Sequence, residues 1–74
     1  MLDDKYIADG REYKRVRLEL ELSQYEVASS IGISRYSLSN YECGKADMPL
    51  TVCMRLYRYY TRREKEIMDH FNSR

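Results

Sequence analysis

The apolar positions of this chain recur at helical spacings, and short polar punctuation separates them. Tyr13, Val16 and Leu20 fall on one stripe, with Arg11, Lys14, Arg15 and Glu19 away from it. Val27, Ala28 and Ile31 form a second stripe, Leu38 and Tyr41 a third, and Leu50, Cys53, Met54, Leu56, Tyr57 and Tyr60 a fourth. Between the stripes the signals are specific. Ser23 followed by Glu26 reads as a capping box, in which a hydroxyl accepts from the third helical N–H and a carboxylate reaches back. Gly32 stops that helix by supplying a positive φ, and Ile33 folds back as the apolar contact of the cap. Ser34 caps the next helix and Gly44 ends it. Lys45 to Pro49 form a loop, in which Asp47 and Pro49 mark the entrance to a fourth helix. Thr61 with Glu64 reads as a further capping box opening a fifth, on which Ile67, Met68 and Phe71 are the apolar residues. The predicted helices are thus about 10–20, 24–31, 35–42, 50–60 and 62–72. Leu2, Tyr6 and Ile7 precede them and either fold over the domain edge or fray.

Only Gly32, Ile33 and Ser34 separate the second and third helices. So short a link forbids a parallel hairpin and forces a steep crossing, with Ala28 as the small residue near it. The third helix is pushed outward with Arg35, Tyr36, Ser39, Asn40 and Lys45 on its free side, a polar, aromatic and basic face. A helix presented in this way can enter a DNA major groove, although the same shape also serves as a plain packing unit.

With those residues in register, the chain resembles the helix-turn-helix domains of phage Cro and repressor proteins, also called the xenobiotic-response-element type. The resemblance covers about Asp9 to Tyr60. It rests on Gly10, Tyr13, Val16 and Arg17; on Leu22, Ser23, Gln24, Val27 and Ala28; on Ile31, Gly32, Ile33 and Ser34 at the turn; and on Leu38, Ser39, Tyr41, Glu42, Gly44, Lys45 and Pro49. Two positions depart from the pattern: Glu21 stands where the family usually has glycine, and Cys43 where a polar or basic residue is commoner. The resemblance implies an all-α, compact five-helix bundle of the lambda-repressor-like kind and a double-stranded DNA operator as partner. It also implies a partly buried ion pair between Arg17 and Glu42, whose charge at a helix C-terminus needs a compensating cation. Gln24 would meet the DNA backbone, with Ser23, Ser34, Ser37 and Lys45 as further phosphate contacts. Because such helices enter the groove N-terminus first, Arg35 and Tyr36 would lie deepest, with Ser39 and Asn40 one turn on. Arg35 suits guanine O6 and N7, Asn40 suits adenine N6 and N7, and Tyr36 suits a thymine methyl or a phosphate.

Composition narrows the reading. A chain of 74 residues is expected to form one domain, 1–74, with a small core and no room for a separate effector module. Eight tyrosines against one phenylalanine and no tryptophan mean that much of the core carries hydroxyls needing partners. A net charge of +1 argues against indiscriminate binding through charge alone, and its distribution is uneven. Residues 1–21 hold six acids and five bases, residues 55–74 six bases and three acids, so the first stretch should face away from phosphate.

Cys43 and Cys53 lack metal-ligand spacing and His70 is the sole histidine, so no metal is expected, and no cofactor or small-molecule ligand either. No signal peptide or membrane-spanning run is expected, which points to the cytoplasm or nucleoid, and no phosphate loop or nucleophile elbow is found in the sequence, so an enzyme is not expected. Specific readout by one short helix calls for a homodimer, at least on DNA. Its candidate contacts are Tyr59, Tyr60, Ile67, Met68 and Phe71. The expected role is a Cro-like repressor of a phage, plasmid or other mobile element. The alternative is a protein-binding module, an antitoxin or an antagonist of another regulator, using its aromatic cluster.

Overall fold

A computed structural model describes residues 9–72, which form α1 (Gly10–Glu19), α2 (Gln24–Ile31), α3 (Arg35–Cys43) and α4 (Leu50–Asn72). The expectation for Leu2, Tyr6 and Ile7 lies outside the described residues. Asp9, Ser23 and Ser34 are N-caps whose side-chain oxygens accept from the N–H groups of Arg11, Glu26 and Ser37. Glu26 does not complete its box but lies 4.0 Å from Arg63 of α4.

The first three helices end on the same device. Glu21, Gly32 and Gly44 all have positive φ, at 58°, 81° and 76°. In each case the next N–H turns back five residues: Leu22 to Arg17 at 3.1 Å, Ile33 to Ala28 at 3.0 Å, and Lys45 to Asn40 at 2.9 Å. Glutamate therefore takes the left-handed conformation that glycine adopts freely, at a cost of roughly 1–2 kcal/mol. Burial of Leu22 and the bond from Arg17 Nη1 to its carbonyl, 2.9 Å, hold the corner regardless.

The fifth helix is not separate. Residues 50–72 form one helix, so the chain has four helices among the described residues rather than the five the sequence suggested. Nothing between Tyr60 and Arg62 interrupts the backbone ladder, since no glycine or proline occurs after Pro49. A threonine in mid-helix, as Thr61 is, leaves that ladder intact. The buried face of α4 also differs from the expected one. Val52, Cys53, Leu56, Tyr59 and Tyr60 are buried and Met54 and Tyr57 half-buried, whereas Leu50 is exposed.

Leu38, Leu56 and Val27 are the largest fully buried side chains, surrounded by Tyr13, Leu22, Ala28, Ile31, Val52, Tyr59 and Tyr60. Helix α3 packs on α1 and α2, while α4 packs on α2 and α1. Arg55 Nη1 donates to the Ile31 carbonyl at 3.2 Å, and Arg63 approaches Glu26, so α4 runs antiparallel to α2. Gly10 is a point of close approach between α1 and α3. A Cβ there would stand 2.1 Å from the carbonyl oxygen of Tyr41. The backbones touch, which fixes how far α3 stands from the body.

Candidate nucleic-acid interface

The outward surface is built from the start of α2 and the free face of α3. Arg35 and Tyr36, the first residues after the Ser34 cap, are exposed, Tyr36 by 76%. Ser39 and Asn40 follow one turn on and are half-buried. Arg35, Tyr36 and Ser39 line a shallow cleft of about 250 Å³. The sequence-predicted base-reading set thus shares one face. Arg35 has no acid partner among the described residues, nor does the exposed Lys45 at the other end of α3.

The phosphate candidates differ in what they can still offer. Ser23 and Ser34 spend their oxygens on the caps, and the Ser34 hydroxyl lies 3.0 Å from that of Ser37. Gln24 is half-buried and its Nε2 donates to Glu42 Oε1 at 2.9 Å. Glu42 is in turn the centre of a buried pair. Arg17 Nε reaches Glu42 Oε2 at 2.7 Å and Arg17 Nη2 reaches Oε1 at 2.9 Å, a bidentate fork between α1 and α3. Both side chains are at least nine-tenths buried. These bonds, before anything else, raise the Arg17 pKa and keep the guanidinium charged. The ion pair expected between Arg17 and Glu42 is present and is the joint that locks α3 to α1.

Tyr59 and Tyr60, expected among the dimer contacts, lie in the protomer's own core at 6% and 4% exposure. Their rings meet edge to face with centroids 5.7 Å apart, and Tyr60 lies tilted against Tyr13 at the same distance, so neither is available to a partner. Ile67, Met68 and Phe71 are exposed on the far half of α4. Two features escaped the sequence. Tyr25, 72% exposed beside Gln24, adds an aromatic hydroxyl to this surface; its position off the Val27–Ala28–Ile31 stripe is the available signal. The Gln24 bond to Glu42 spans 18 positions and left none.

Cys43 is exposed and Cys53 buried, both free, and burial pushes the Cys53 thiol up. Among the described residues no three His, Cys, Asp or Glu side chains cluster as metal ligands, and no helix is long and apolar enough to cross a membrane.

A family model described as helix-turn-helix matches residues 14–66, most of the chain. The protein belongs to the Cro/repressor-type helix-turn-helix family, a family of DNA-binding regulators that are generally not enzymes. No curated protein and no solved structure matches it significantly.

Proposed function

We propose that this protein is a sequence-specific transcriptional regulator that represses by occupying a two-fold operator, as a small Cro-like protein of a phage, plasmid or other mobile element. It works on double-stranded DNA in the cytoplasm or nucleoid, and it binds as a homodimer at least on DNA. The observation that carries the reading is the outer face of α3. Arg35, Tyr36, Ser39 and Asn40 stand together on a helix fixed to the body by a buried ion pair, with an unpaired cation at each end.

A band shift against the DNA flanking the protein's own gene tests this, and failure to retard that DNA more strongly than random DNA refutes it. Arg35→Ala refines the test. As a base reader, Arg35 contributes roughly 1–3 kcal/mol on the cognate operator, and its loss relaxes preference at one position per half-site. Binding to random DNA should fall much less. Equal losses on both would make Arg35 a phosphate contact and leave specificity to Asn40, Ser39 and DNA shape.

A further inference from the structure

Glu42 carries a negative charge close to a surface that is to meet a polyanion, and the structure gives it a use there. Its two oxygens accept three hydrogen bonds, two from Arg17 and one from Gln24 Nε2. Arg17 and Glu42 are buried, whereas Gln24 is half-buried and bridges from the pair to the start of α2. An amide nitrogen has two hydrogens, so the bond to Glu42 leaves one. Gln24 is the first residue of α2, so the amide belongs to a helix N-terminus whose backbone N–H groups of Gln24 and Tyr25 are not used by the Ser23 cap.

We propose that Glu42 is a positioning residue for DNA binding: held by Arg17, it fixes the Gln24 side-chain amide so that the remaining hydrogen is presented to a backbone phosphate. This rests on the DNA-binding reading above. A glutamine left to itself has three side-chain torsions to freeze on binding, and the bond to Glu42 freezes them in the free protein. A carboxylate alone beneath a phosphate would repel it. The bidentate Arg17 cancels that charge, so the amide is oriented by a strong acceptor with no net negative charge under the DNA.

The test is a double-mutant cycle in DNA binding, using Gln24→Ala, the pair replacement Arg17→Met with Glu42→Leu, and the triple variant. Replacing both partners of a buried pair by apolar residues usually preserves a fold, and circular dichroism checks that it does. Gln24→Ala should weaken binding about tenfold on operator and random DNA alike, the scale of one hydrogen bond to a charged group. The pair replacement should weaken it similarly without changing the salt slope, because one positive and one negative charge leave together. In that background Gln24→Ala should cost no more than about twofold. A full tenfold cost there overturns the proposal and leaves the regulator reading standing. A wild-type protein that binds no DNA removes both. Should the pair replacement not fold, NMR relaxation of the DNA-free wild type decides. The Gln24 side-chain amide should be as rigid as the backbone, and motion like that of the exposed Asn72 amide overturns the proposal.

Discussion

Tyr60 shows what a core built from tyrosine costs. Its ring packs against Tyr13 and Tyr59, yet its hydroxyl is buried with no hydrogen-bond partner. A core tyrosine hydroxyl needs water or a partner; Tyr13 finds one at the Cys53 carbonyl 3.5 Å away, and Tyr60 does not. Desolvating an unpaired hydroxyl costs about 1–3 kcal/mol, so Tyr60→Phe should stabilise the protein by about 1 kcal/mol at neutral pH in urea unfolding. Burial, and next the charge of Glu42, also raise the Tyr60 pKa above its ordinary 10.0. Below about pH 10 both folded and unfolded states hold the proton and stability is flat. Above it the unfolded chain ionises while the folded one does not, so stability falls as pH rises, by up to about 1.4 kcal/mol per unit for one group. Tyr60→Phe should remove that share of the alkaline loss. A variant less stable than wild type at pH 7 would mean that the hydroxyl is satisfied. Arg17 and Glu42 were more legible, because a carboxylate at a helix C-terminus demands a cation.

At the scale of elements, the ends of helices were readable and their sides less so. Ser23, Gly32, Ser34 and Gly44 punctuate the chain where the sequence places them, since capping is local chemistry. The break at Thr61 misled because a capping box permits a helix start without compelling one. The face of α4 misled for another reason. Its inward row runs Val52, Leu56, Tyr59 and Arg63, whose Nε is itself buried, and a stripe chosen on apolar residues passes over an arginine that buries its stem. Glu21 is the local conflict that tertiary packing overrides. Its left-handed backbone makes a direct expectation: Glu21→Gly should raise stability by about 1 kcal/mol, the relief of strain less the extra freedom of the unfolded chain. Thermal unfolding measures it, and a lower Tm for Glu21→Gly would show that the carboxylate supplies something the corner needs.

For the whole molecule, a net charge of +1 hides how the cations are spent. On α1, Arg11 pairs with Asp9, Arg15 with Glu12 and Arg17 with Glu42. The cations without an acid partner among the described residues are Lys14 on α1, Arg35 on α3, Lys45 just past it, and Arg55, Arg58 and Arg62, so half of the unpaired charge stands on α4. The 23 residues of α4 span about 34 Å, close to the longest extent of the molecule, 42 Å, and every side chain from Glu64 to Asn72 is exposed. Ile67, Met68 and Phe71 make a narrow apolar seam on that projecting end. Three side chains fall well short of the roughly 800 Å² per partner of a stable interface, so self-association through them should be weak in solution and completed on DNA. On the two-fold operator we propose, half-sites about 34 Å apart would hold two copies close enough to raise their effective concentration. The expected outcome is two proteins per operator at saturation, bound cooperatively. Phe71→Asp should abolish the cooperativity while leaving the affinity for an isolated half-site unchanged. Sedimentation of the complex that finds one protein per operator ends the dimer, and cooperative binding by Phe71→Asp moves the contact elsewhere on the surface.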